Sequence, residues 1–273
     1  MIISDLLKRH SRLALSALIV ACLLLAYGIQ QQIHRYYFDA VLAQSDERMR
    51  FFKSTLLASI IKHIVMDPEC HRKVLTYESP IEFVYDMLEM SSAIISQSEI
   101  PRHLPSFADG VRNALRRKPR LILVGEARDA ETMGAVIEAA LTGHPVYTTL
   151  HSNGVADSVR RLVGTFPAEE RNGRTLDIIE TMRLIIWQRL VPTVDGGRVA
   201  LREYLTFDEN IRDTLLDTSP DEVTAKTRIL LKEEGHPMLL DAEDKFKQGI
   251  ISKRTLDLLK RDARNTDKDV SGQ

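Results

Sequence analysis

Leu121–Val124 is a run of four apolar residues (LILV), closed at once by Gly125 and Glu126. A strand sends successive side chains to opposite faces, so an unbroken apolar run needs cover on both. Such strands belong to parallel sheets sandwiched by helices, and the rest of the chain must supply those partners. Residues 73–77 (KVLTY) and 146–150 (VYTTL) are two further short β-rich runs. Between and around them lie helical patterns. Residues 53–65 place Leu56, Leu57, Ile60, Ile61 and Ile64 on one side, and Asp67-Pro68 ends that helix. Residues 107–117 stop at Lys118-Pro119, and residues 130–141 are opened by Asp129 as N-cap and stopped by Gly143. The spacing predicts an amphipathic helix over 176–190, with Trp187 in its apolar face. It also predicts a hairpin turn at Asp195-Gly196-Gly197 before residues 198–207, and helices from Asp208 onward. The expected fold class is α/β, a parallel sheet followed by a small hairpin and a helical tail.

Chain length and charge bound the rest. At 273 residues there is room for one ordinary domain and a small appendage. Lys and Arg number 37 against 38 Asp and Glu, so no global field selects nucleic acid, and no direct nucleic-acid contact is expected. Arg116, Arg117, Lys118 and Arg120 form a basic cluster, but cations at a helix C-terminus are favoured by the helix dipole in any case. The two cysteines, Cys22 and Cys70, suggest neither a disulfide framework nor zinc. His144 and His151 lack a third ligand nearby in sequence.

One stretch differs from the remainder. Residues 13–29 (LALSALIVACLLLAYGI) carry no charge over 17 positions, the lower limit for crossing a bilayer. Lys8, Arg9 and Arg12 precede it, and Tyr27, Tyr36 and Tyr37 suit a membrane interface. A membrane anchor, an uncleaved signal and a buried helix are the three readings. The preceding positive charge favours an N-in orientation, which would send the residues after 29 outside the cytoplasm.

Each of the three β-rich runs is followed by a residue capable of chemistry: Glu78, Glu126 and His151. Ligands of open parallel sheets bind beyond the carboxyl ends of the strands, so these three would converge on one cleft. One carboxylate could orient or deprotonate a water, the other could hold Mg²⁺, and the imidazole could meet phosphate charge.

The same residues carry a resemblance. Residues 121–129 (LILVGEARD) resemble the Walker B stretch of the type II/type IV secretion ATPases. Residues 74–83 (VLTYESPIEF) resemble their Asp box, with Ser79 in place of its Asp, and residues 142–153 (TGHPVYTTLHSN) resemble their His box. The likeness runs over about 53–264 and covers the C-terminal RecA-like domain of this PilT-like family. It is nearest to the conjugative-transfer and Dot/Icm (type IVB) ATPases of the TraJ/DotB kind. The resemblance implies a RecA-like P-loop NTPase core and homo-hexameric rings. It also implies ATP and Mg²⁺ as ligands, and partners in an inner-membrane secretion or conjugation machine on the cytoplasmic face. It makes Glu126 the catalytic carboxylate, Glu78 its assistant at metal and water, and His151 a neighbour of the γ-phosphate. Lys53, Ser54 and Thr55 would bind nucleotide, Ser54 and Glu78 would serve Mg²⁺, and Arg102, Arg112 and Arg128 are candidate phosphate contacts.

The pattern breaks at the phosphate loop. Gly-x-x-x-x-Gly-Lys-Ser/Thr is needed because backbone N–H groups close around phosphate, yet the two glycine positions hold Glu47 and Phe52. Residues 46–50 (DERMR) are too charged for the buried strand that should precede such a loop. The expected organisation is a basic start (1–12), the apolar segment (13–29), a connector in place of the loop (30–52), an incomplete RecA-like core (53–208), a helical subdomain (209–264) and a flexible tail (265–273). The leading function is an ATPase subunit that couples hydrolysis to substrate transfer or pilus dynamics, the second a catalytically inactive ring subunit, and the third a membrane-anchored adaptor resting only on residues 13–29. Two accounts of the break remain. An unrelated start is joined to the C-terminal half of a motor, or a degenerate, catalytically inactive subunit docks in a ring.

Overall fold

A computed structural model describes residues 48–271 apart from 68, 70, 71, 87, 89, 91 and 92, with side chains between 55 and 263. The apolar segment at 13–29 therefore lies outside the described residues. Among those described, no helix is long and apolar enough to cross a membrane.

The core is a four-stranded parallel sheet built from β1 (Lys73–Glu78), β2 (Ile94–Glu99), β3 (Leu121–Val124) and β4 (Val146–Thr148), in the order β2-β1-β3-β4. All four residues of β3 are buried, as an apolar run covered on both faces requires. Helix α1 (Arg48–Met66) covers one face, where Ala58, Ile61 and Val65 pack on Val74, Leu121 and Leu123. The opposite face carries Leu75, Tyr77, Ile122 and Val124 under α2 (Phe107–Arg116) and α3 (Ala130–Leu141). Ser106 and Asp129 cap these two helices by accepting from the backbone N–H of Asp109 and Thr132. The packing between α2 and β1 is close: a Cβ on Gly110 would lie 2.7 Å from the Tyr77 ring.

Next come α4 (Val155–Gly164), α5 (Arg171–Thr181) and an antiparallel ribbon of β5 (Leu184–Pro192) and β6 (Arg198–Thr206). The turn between the ribbon strands places Gly196 at φ +86°, a conformation glycine adopts without strain. Helices α6 (Glu209–Leu216), α7 (Val223–Glu233), α8 (Met238–Lys247) and α9 (Lys253–Ser271) follow among the described residues. One apolar cluster joins α4, α5, β6, α6 and α7 through Val159, Ile179, Leu205, Leu215 and Leu230. A second joins the ribbon to α8 and α9 through Val199, Leu201, Met238, Ala242 and Leu256.

Three local expectations change. Residues 176–190 are not one helix: α5 ends at Thr181 and β5 begins at Leu184, so Trp187 lies on a strand. Ile185 and Ile186 are β-branched, and nine register pairs with β6 outweigh the local helical spacing. Strand β2 was not legible, because a half-exposed edge strand reading IISQSE has no clean alternation. Helix starts at Arg48, within the expected connector, and α9 continues to Ser271, through most of the expected tail.

Candidate nucleotide site

The carboxyl ends of β1, β3 and β4 meet at Gly125. Its N–H donates to the Tyr77 carbonyl at 2.7 Å, and its own carbonyl accepts the Thr149 hydroxyl at 2.5 Å. A Cβ there would stand 3.2 Å from the Tyr77 oxygen and 3.3 Å from Glu78 Cα, so the approach needs a small residue. Glu78, Glu126 and His151 therefore stand at the ends of strands on one sheet edge, but they do not share one cleft: Glu126 and His151 line the cleft described below, whereas Glu78 is buried against Thr76 and Gln97.

Their surroundings differ. Glu126 is largely sheltered and lies between two cations or potential cations. Arg128 Nη2 pairs with its Oε2, and His151 Nε2 is 3.4 Å from its Oε1. Both partners are exposed, so these contacts orient the carboxylate more than they stabilise the fold. Glu78 is 8% exposed and accepts at Oε1 from Thr76 Oγ1 at 2.6 Å and Gln97 Nε2 at 3.1 Å. Burial pushes the Glu78 carboxyl above its ordinary range, the Glu82 charge adds to this, and the hydrogen bonds restrain it.

Beyond Glu126 a cleft of 950 Å³ opens, lined by Arg128 and His151 and on its far side by Arg160, Arg161, Arg171, Thr175 and Thr224. Arg161 Nη1 donates to the His151 carbonyl, which ties α4 to the His-bearing loop. Arg171 Nε donates to the Phe166 carbonyl at 3.0 Å. Arg160 is held by Asp157 at 2.5 Å. Burial would raise the Asp157 carboxyl, but Arg160, the Asn153 N–H and the charge of Arg161 outweigh it and hold the group below its ordinary range. The far end of the loop is tied down by Trp187 Nε1, which donates to the Ser152 carbonyl at 2.9 Å. Four guanidinium groups around a cleft that opens on a carboxylate suit a polyanionic ligand.

Of the arginines singled out in the sequence, only Arg128 lines this cleft. Arg112 is paired with Glu131 at 2.9 Å and Asp109 at 3.7 Å, and Arg102 lies exposed in the turn after β2. Lys53 and Ser54 fall outside the described side chains. Thr55 is on α1, with its carbonyl accepting from Ser59. Sequence reasoning missed Arg160, Arg161 and Arg171; the adjacent Arg160-Arg161 pair, ten residues past the His box, was the available signal.

A parallel sheet flanked by helices, with its polar residues gathered at the strand ends, defines a RecA-like ATPase core. Residues 52–203 match the family described as type II/IV secretion system protein, and the chain belongs to that family. Over 201 residues it is 36% identical to a twitching motility protein of Neisseria gonorrhoeae, covering 73% of this chain and 52% of that one. The crystal structure of the Legionella pneumophila ATPase DotB superposes with a TM-score of 0.74 at 68% identity, over 76% of this chain and 56% of that one. The pilus retraction motor PilT, solved with ADP, gives 0.64 at 33% identity, over 75% and 56%. The chain thus spans about half the length of the relatives it matches.

Proposed function

We propose that this chain is the hydrolytic half of a secretion ATPase, coupling ATP hydrolysis to transport through a type IV or conjugative machine. The observation that carries the reading is the Glu126 carboxylate, held between Arg128 and His151 at the mouth of an arginine-lined cleft. Glu126 orients the attacking water and receives its proton. Arg128 and His151 set the direction of that carboxylate, and Arg128 is placed to turn toward phosphate when a nucleotide arrives. Arg161 and Arg171 meet charge developing on the phosphate oxygens.

The residues fit a magnesium nucleotide. Among the described residues no group of three metal-ligating side chains forms a cage. Mg²⁺ is usually held by one or two carboxylates together with substrate phosphates and water, and Glu78, with Ser54, supplies that kind of oxygen donor. Bound Mg²⁺ would neutralise phosphate charge, and Lys53, Ser54 and Thr55 would bind the nucleotide through their side chains, since α1 already begins at Arg48 and their N–H groups lie inside the helix. By resemblance to the family, the working form is a homo-hexamer at the cytoplasmic face of the inner membrane, beside secretion components. Glu47 and Phe52 at the glycine positions favour a second reading, a ring subunit that binds its neighbours without hydrolysis.

Hydrolysis by the purified full chain and by Glu126→Gln separates the two. The first reading expects Mg²⁺-dependent phosphate release that falls by about 100-fold or more in the variant, with the circular dichroism spectrum kept. No release by the parent chain at millimolar ATP would leave the structural-subunit reading.

A further inference from the structure

Glu78 and Gln97 lie on neighbouring strands and on one face of the sheet. Gln97 pairs in register with Thr76, and Glu78 is two residues further along β1. On that face the strands begin apolar, with Val74 and Ile95 in the core under α1, and turn polar as they approach the catalytic edge. Both ends of the Gln97 amide are used. Its Nε2 donates to Glu78 Oε1 at 3.1 Å and to the Phe83 carbonyl at 2.8 Å, and its Oε1 accepts the Tyr85 N–H at 3.0 Å.

Phe83 and Tyr85 belong to the segment that leaves Glu78 through Pro80, so one side chain grips both the carboxylate and the chain that follows it. A buried carboxylate without donors is costly and turns toward whatever will hydrogen-bond it. Thr76 reaches only the carboxylate, to which the Glu82 backbone N–H also donates, so Gln97 is the side chain that joins Glu78 to both Phe83 and Tyr85. A glutamine satisfies both demands, since it offers two N–H groups and a carbonyl in one plane.

We propose that Gln97 is a positioning residue for the nucleotide reaction: it sets the orientation of the Glu78 carboxylate and locks segment 79–85 against it. This role rests on the hydrolytic reading above. A residue serving packing alone would affect stability and leave turnover per folded molecule unchanged. One that aims Glu78 acts on the chemical step while leaving nucleotide affinity in place, since misplacing a catalytic group by about 1 Å costs up to roughly 100-fold.

Two full-chain variants divide the contacts. Gln97→Met keeps the length and removes all three hydrogen bonds. Gln97→Glu keeps an acceptor for the Tyr85 N–H and loses the donors to Glu78 and Phe83, so it carries the test if the first variant fails to fold. Both are expected to lower kcat for Mg²⁺-ATP by about 10- to 100-fold with KM within about threefold of the parent. Tyr85 amide exchange is expected to quicken in Gln97→Met and stay slow in Gln97→Glu. A kcat within about twofold of the parent in folded variants overturns the role of Gln97 while the hydrolytic reading stands. A parent chain that hydrolyses nothing removes that reading, and the role of Gln97 with it.

Discussion

Gly125 and Glu78 show how much of the site depends on single residues. Gly125 lets β3 approach β1 closely enough for its N–H to reach the Tyr77 carbonyl, and the next residue, Glu126, leaves the sheet at that point. Glu78 carries a different constraint, because its burial favours the protonated form. A carboxyl whose pKa is raised on folding holds its proton more tightly in the native state, so native stability falls as pH rises from about the ordinary carboxyl value through the raised one. Glu78→Gln keeps an acceptor for Thr76 and Gln97 and does not titrate. Its melting temperature relative to the parent should therefore be higher at pH 7 than at pH 4. An equal difference at the two pH values, measured by thermal unfolding, would show that Glu78 is not the strained group.

Among the elements, α3 bears most directly on the site, because its cap directly follows the loop that carries Glu126 and Arg128. Asp129 accepts from the Thr132 N–H at 2.7 Å and from the Thr132 hydroxyl at 2.8 Å, only three residues past Glu126. Asp129→Ala should cost about 1 kcal/mol in urea unfolding, as typical of a lost N-cap. A change below about 0.3 kcal/mol would mean that packing of Met133, Val136 and Ile137 alone holds the helix start. At this scale local signals read well where sequence and burial agree: β3, the capped helices α2 and α3, and the Asp195-Gly196 turn were all legible. They failed where pairing decided the outcome. Strand β5 carries helical spacing yet folds against β6, and β2 is an edge strand whose identity comes from its register with β1.

Across the whole molecule the ribbon links the cleft to the C-terminal helices. Glu203 on β6 accepts the Val155 N–H at the start of α4 at 2.8 Å and the Met238 N–H at the start of α8 at 3.5 Å. Trp187, the one tryptophan of the chain, packs against both apolar clusters of this half and holds the loop that follows His151. Its fluorescence should therefore change when Mg²⁺-nucleotide fills the cleft. The change should vanish in Trp187→Phe and saturate at the same concentration as nucleotide binding measured by calorimetry. A signal that stays flat while calorimetry detects binding would mean that the His151 loop does not respond to ligand.

The sequence by itself determined the fold class and the strand-end residues, because a four-residue apolar run and the turn chemistry after it act over a few neighbouring positions. It also placed Glu78, Glu126 and His151 at the ends of neighbouring strands, since parallel strands deliver their carboxyl ends together, but not the burial that keeps Glu78 out of the cleft. Only the tertiary structure decided which arginines face the cleft and that Arg112 is spent on Glu131. It also decided that Gln97 holds Glu78. Those contacts join residues distant in sequence, and strand register and helix packing set them, which no local pattern encodes.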